Sequence, residues 1–229
     1  MSIADKKNQN QEEINLKSDR DDDSFTTKSS QDRSLNSRMQ QQIKKYHYQS
    51  PKLPQKKYDG QNLQSLIYHK KWDQCITRIT THPHETTLVD KISGDLALHE
   101  ACQSGAPFNV IQHLIHTNQS ALSTKGFCGR IPLHYAVYVR PTVNVIKLLL
   151  RYYKDGAAVF DNDGRLPIHM AVLRNAPNLV IQTLIDANLR GLISCNKFGN
   201  TPDMVCNNDL VKALLKVSKV FLLSKYIFL

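Results

Sequence analysis

An all-α repeat solenoid is predicted by three observations. Gly94, Gly129, Gly164 and Gly199 recur at a strict spacing of 35 residues. The first three open closely similar strings, Gly94-Asp-Leu-Ala-Leu-His-Glu-Ala101, Gly129-Arg-Ile-Pro-Leu-His-Tyr-Ala136 and Gly164-Arg-Leu-Pro-Ile-His-Met-Ala171. The apolar pairs Val110-Ile111 and Leu114-Ile115 then return as Val145-Ile146 with Leu149-Leu150 and as Val180-Ile181 with Leu184-Ile185. Pairs four residues apart lie on one face of a helix. A period of this length marks units that bury their apolar faces only by stacking on one another.

The chain divides accordingly. Residues 1–57 are rich in Ser, Gln, Asn, Asp and Lys and lack the apolar surface that offsets ordering entropy, so a disordered polar tail is expected there. The repeat region is expected over 58–216. A degenerate first unit spans about 58–93, where Asn62 to Lys70 reads as a first helix and Trp72 to Thr80 as a second. Repeats follow over about 94–128, 129–163 and 164–198, with a shortened last unit over 199–216. Terminal units are expected to be atypical because each has only one neighbour. Residues 217–229 form an apolar extension.

Each unit reads as a Gly turn, a short helix, a break, a second helix and an extended return. Pro132, Pro167 and Pro202 suit a first helical turn, where the missing N–H would find no intrahelical partner and the fixed φ is already helical. Ala101, Ala136 and Ala171 allow close approach of neighbouring helices. Gly105, Pro107, Pro141 and Pro177 fall where the first helix should stop.

A Gly followed by Pro-Leu-His-x-Ala, with a second helix ending in Leu-Leu or Leu-Ile, resembles the ankyrin repeat, whose signature is Thr-Pro-Leu-His-x-Ala on a period of ~33. The resemblance covers about residues 58–216. This chain is a 35-residue variant in which Leu96, Ile131 and Leu166 replace the Thr that survives as Thr201. The usual N-cap hydroxyl is therefore missing from three units. Pentatricopeptide repeats, which read RNA, share the 35-residue period but do not require this residue order.

Catalytic and metal chemistry find no carrier. Successive units place His99, His134 and His169 about a helix-packing distance (~8–10 Å) apart, too far for one ion with ligand distances of ~2 Å. The resemblance implies that each imidazole bonds backbone near its own helix start. His82-Pro83-His84-Glu85 and the pair His113 and His116 read as loop or solvated histidines. No phosphate loop, nucleophile elbow, Cys-x-x-Cys or His-Glu-x-x-His motif occurs. The expectation is a non-enzyme with no cofactor and no metal.

The five cysteines have no paired spacing and read as free thiols of a reducing, intracellular compartment. Cys128, next to Gly129, is the one expected at the surface. No secretory signal follows Met1. A cytoplasmic location is expected, with a nuclear one raised by Lys44-Lys45 and Lys56-Lys57, which otherwise read as a solvated linker. The apolar stretch Val217 to Leu229 is shorter than the ~20 residues of a membrane span and is interrupted by Lys219 and Lys225. An extra helix capping the last repeat is expected, with a membrane-surface or dimer contact as alternatives.

Net charge is +10, and after residue 60 there are 18 basic against 11 acidic side chains. That excess favours an acidic protein partner, with nucleic acid as the alternative. By resemblance, the chain is a scaffold that binds a protein through turn tips and inner helices. The alternatives are a nucleic-acid-binding repeat or the regulatory subunit of an enzyme. The tips carry Ile92, Ser93 and Asp95, then Phe127, Cys128 and Arg130, then Asn162, Asp163 and Arg165, then Lys197, Phe198 and Asn200; Gln103, Tyr138 and Leu173 stand on the inner helices. Aromatic and Arg side chains make the strongest anchors, which selects Phe127, Arg130, Tyr138, Arg165 and Phe198. Charge reversal at Arg130 and Arg165 is expected to weaken a partner and leave the melting temperature unchanged.

Overall fold

The computed structural model describes residues 60–139 and 141–227, with side chains described as far as Ser224. All belong to one compact unit within Gln49–Leu229. The expected disordered tail over 1–57 and the paired lysines within it lie outside the described residues.

Helices alternate along the chain without a strand among the described residues. The first unit holds α1 (Leu63–Tyr68) and α2 (Trp72–Thr81). The next three hold α3 (Ala97–Ser104) and α4 (Phe108–Thr117), α5 (Pro132–Val139) and α6 (Val143–Tyr152), then α7 (Pro167–Leu173) and α8 (Asn178–Ala187). The last unit holds α9 (Pro202–Val205) and α10 (Asp209–Ile227). Each first helix packs on the first helix of the next unit, and α2, α4, α6 and α8 line up behind them.

Burial follows from this layering. Six consecutive residues of α3, Ala97 to Cys102, are buried, as are Pro132 to Val137 and Pro167 to Val172. A helix enclosed on all sides has to be apolar nearly all round. The second helices bury only one stripe, such as Val110, Ile111, Leu114 and Ile115 of α4, the apolar pairs visible in the sequence. In place of a fully extended return, each of the first four second helices is followed by a short 3₁₀ turn, such as Pro83–Thr87 or Leu189–Ile193.

Inner helices end in a common way. Lys70, Gly105 and Asn175 adopt left-handed φ values of 56°, 70° and 51°. Beyond them, the amides of Lys71, Ala106 and Ala176 donate to the carbonyls of Leu66, Ala101 and Ala171, a Schellman closure. Only Gly105 announced this stop, because Lys70 and Asn175 carry side chains in a conformation that favours glycine.

The first unit lacks the histidine of the three central repeats and is tied differently. Asn62 Oδ1 accepts from Ser65 N at 2.8 Å, and Glu85 Oε2 accepts from Leu63 N at 2.7 Å. Arg78 pairs with Glu85 through both carboxylate oxygens. That guanidinium holds the Glu85 carboxyl below its ordinary range.

The expected boundary between residues 216 and 217 has no counterpart in the backbone, since α10 runs through it. Val211, Leu215 and Leu222 are buried, while Val217, Val220 and Phe221 face outward. The extension is therefore the second helix of the last unit continued, with Val217, Val220, Phe221 and Leu223 in solvent, where a separate cap would have hidden them.

At Gly164 (φ +70°) a Cβ would stand 2.9 Å from Lys197 N, whereas at Gly94 (φ +74°) nothing lies within 4 Å. Gly164→Ala is expected to cost about 2–4 kcal/mol and Gly94→Ala only the backbone strain of about 1 kcal/mol. Paired urea melts of the two variants measure the difference; equal losses would deny the tip-to-tip contact.

Candidate protein-binding face

The turn tips are joined to one another by backbone bonds. Asn162 N donates to Cys128 O at 2.8 Å and Lys197 N to Asp163 O at 2.9 Å. Within a tip, Asp161 Oδ1 accepts from the amides of Asp163 and Arg165, and Asn196 Oδ1 from those of Phe198 and Asn200. Asp90 does the same for Ile92 and Ser93. These side chains mimic a turn of backbone. The second tip has Gly126 at the corresponding place, and Asp95 of the preceding tip fills the gap. A Cβ on Gly126 would lie 2.0 Å from Asp95 Oδ1. That oxygen accepts from Phe127 N at 3.0 Å and from Tyr135 Oη at 3.2 Å.

Histidine supplies what the missing threonine would have given. The Nδ1 atoms of His99, His134 and His169 accept from the amides of Leu96, Ile131 and Leu166 at 3.1, 3.3 and 3.1 Å. Nε2 therefore carries the proton and donates to Thr124 O, Arg165 O and Asn200 O at 2.9, 3.2 and 3.2 Å. Each ring caps its own helix; His134 and His169 also reach the tip of the following unit, and His99 reaches the loop that leads into it. Burial, the largest cause, lowers all three pKa values, to about 3 for His134 and about 4 for His169. Asn118 and Asn188 add bonds to Thr86 O and Ala157 O of the preceding units.

A pH dependence follows. A folded-state pKa below the unfolded ~6.5 means that the unfolded chain binds the proton first. The contribution is present above pH ~6.5 and is lost as pH falls towards the folded values of about 4 and 3. At pH 5 the loss is on the order of 1–2 kcal/mol for His134 and for His169, and His99 adds to it in the same direction. Thermal melts at pH 7.5 and pH 5 should show a clear drop, and equal midpoints would contradict the buried neutral rings.

The five expected anchors separate into two groups. Arg130 and Arg165 are only 4% and 5% exposed and point into the stack. Arg130 Nε lies 3.6 Å from Asp161 Oδ2, and its guanidinium lies 5.8 Å from the centre of the Tyr138 ring. Arg165 pairs with Asp163 at 3.1 Å and stands 5.7 Å from the Phe198 ring centre. A guanidinium between a carboxylate and an aromatic face is held by charge and by the ring quadrupole. Both guanidiniums are thus buried in the stack, where the sequence placed them on exposed turn tips.

Phe198 is 47% exposed, and Phe127 and Tyr138 are half-buried. Tyr138 carries a second cation, exposed Arg174, at 4.3 Å from its ring centre. The structure thus joins Arg130 to Tyr138 and Arg165 to Phe198, while Phe127 stands with Asp95 and Tyr135. Arg174 and the exposed Val139 escaped sequence reasoning. The available signal was position, since both end an inner helix beside the turn into the second. Among the other tip residues, Ile92, Asn162 and Lys197 are exposed, whereas Ser93 and Asp95 are buried.

Cys195 is the exposed thiol and Cys128 is half-buried with φ 59°, the reverse of the expected emphasis on Cys128. Burial raises Cys75 to about 11 and pushes Cys102 up as well. Among the described residues no group of three His, Cys, Asp or Glu side chains could hold a metal ion.

The fold and this face define a stacked helical-hairpin repeat protein that presents turn tips and inner-helix ends. Residues 98–190 match the family described as ankyrin repeats (3 copies), so the stack contains ankyrin repeats over that segment. No curated protein matches it. Ankyrin repeats are in general protein–protein interaction modules and are typically non-enzymatic. Among the described residues no helix is long and apolar enough to cross a membrane.

Proposed function

We propose that the chain is a non-enzymatic scaffold that docks an acidic protein partner on the turn tips and inner-helix ends. Tyr138, Val139 and Arg174 form the centre of this face, and Phe127 and Phe198 extend it. Arg130 and Arg165 act behind the surface by fixing Tyr138 and Phe198. A ring held in place before binding loses little conformational freedom on contact.

The observation that carries this reading is the different use of the two kinds of charge. Asp95 and Asp161 are buried in turn hydrogen bonds, as is Glu85 in its helix cap. Asp73, Asp155, Asp186 and Asp209 are the exposed acids among the described residues, whereas Lys70, Lys91, Lys125, Arg174 and Lys197 all face solvent along the tips and inner ends. The surface is more basic than the formal sum suggests. Such a face raises the encounter rate with acidic partners and disfavours basic ones.

Proximity labelling with the chain as bait, compared with the double variant Tyr138→Ala/Arg174→Glu, tests the reading. The variant is expected to lose the principal labelled protein, about tenfold or more in yield, because two central anchors are removed. Its melting temperature should move little. A labelling profile unchanged by the variant would contradict the assignment of this face. Nucleic acid in place of protein would show as an affinity that falls steeply with salt.

A further inference from the structure

Helix α10 presents a second surface unrelated to the tips. It packs against the 3₁₀ turn Leu189–Ile193 and against α9, and its Val211 and Leu215 belong to the common core. At 3.6 residues per turn, Leu210, Val217, Val220 and Phe221 stand on the other side, between 56% and 78% exposed. Ala213 falls between them and is exposed as well. The stripe continues over about three turns, far more apolar surface than scattered exposed residues provide.

The charges beside it are mostly basic. Lys212, Lys216 and Lys219 run along one flank of α10, and Asp209 at its start is the only acid in the helix sequence. Lys216 is exposed, Lys212 is half-buried, and Lys219 reaches Asp203 at 3.5 Å. We infer that α10 is a docking helix for an anionic lipid surface, lying in the plane of the headgroups with Val217, Val220 and Phe221 inserted and the lysines at the phosphate level. An apolar stripe edged by lysine is the pattern that adsorbs to such surfaces. Charge argues against a second copy of this chain as the occupant. An antiparallel pairing about the middle of the stripe, near Val217, would set Lys216 beside the same residue of the partner copy, and like charges in contact are unfavourable.

Sedimentation of the full chain with phospholipid vesicles tests this. Vesicles containing about one-third phosphatidylserine should carry the protein down, and pure phosphatidylcholine vesicles should bind at least about tenfold more weakly. Val217→Ser/Phe221→Ser and Lys212→Gln/Lys216→Gln should each weaken binding on the order of tenfold, with unchanged helical circular dichroism. Should either variant fold poorly, raising the salt on the unaltered protein must release it from the anionic vesicles. Absence of binding, or equal binding to both vesicle types, overturns the inference. So does a concentration-dependent dimer in sedimentation equilibrium that Val217→Ser/Phe221→Ser abolishes, or an exposed-stripe dependence seen only for a protein partner.

Discussion

Arg130→Glu is expected to lower the melting temperature by about 10 °C. The guanidinium is 4% exposed and lies 3.6 Å from Asp161 Oδ2, so reversal places two carboxylates together inside the stack. Breaking a buried ion pair costs about 3–5 kcal/mol, and a domain of this size loses about 2–4 °C for each kcal/mol. Losing the cation also frees the Tyr138 ring from one side, so partner binding weakens for an indirect reason. Arg174→Glu, on the exposed side of the same ring, should shift the midpoint by no more than a degree or two. Differential scanning calorimetry of the two variants separates the inner cation from the outer one. Equal midpoints would return Arg130 to the surface role that its place in the turn suggested.

His134→Ala is expected to cost about 3–5 kcal/mol. It leaves Ile131 N and Arg165 O without their ring partner and opens space in a fully buried position. Because one bond closes its own helix and the other crosses to the next unit, amide exchange should quicken in both repeats. Exchange confined to α5 would show that the crossing bond contributes little.

The repeat was legible because stacking forces equivalent residues into equivalent environments. Gly, Pro, His and the apolar pairs return at 35 residues because each occupies the same slot in its own unit. The second bond of each histidine, which His134 and His169 make to the following unit, was not legible, since no spacing within one repeat indicates what Nε2 meets. Arg130 and Arg165 misled for a related reason. Arginine in a turn is usually solvated, but Asp161 of the neighbouring tip draws Arg130 inward, and Asp163 of its own tip pairs with Arg165.

Compensation across units was equally hidden. Gly126 reads as one more flexible loop residue until Asp95 is seen to occupy the space a side chain would need. Glu85 stands in a His-Pro-His-Glu string that invites a ligand reading, yet it caps α1 from 22 residues away. At the other end, the apolar run after residue 216 predicted a helix correctly in kind. Which side of it is buried was not legible, since the sequence of α10 does not show that it packs against Leu189–Ile193.

The account rests on nearest-neighbour stacking, in which every unit takes bonds and buried surface from the next. Deleting residues 129–163 in frame and following helical circular dichroism through a thermal melt tests that dependence most directly. A shorter stack with strong helical signal and a cooperative transition at a lower temperature is the predicted result. A chain without helical signal, or one that melts without cooperativity from the lowest temperatures, would contradict it.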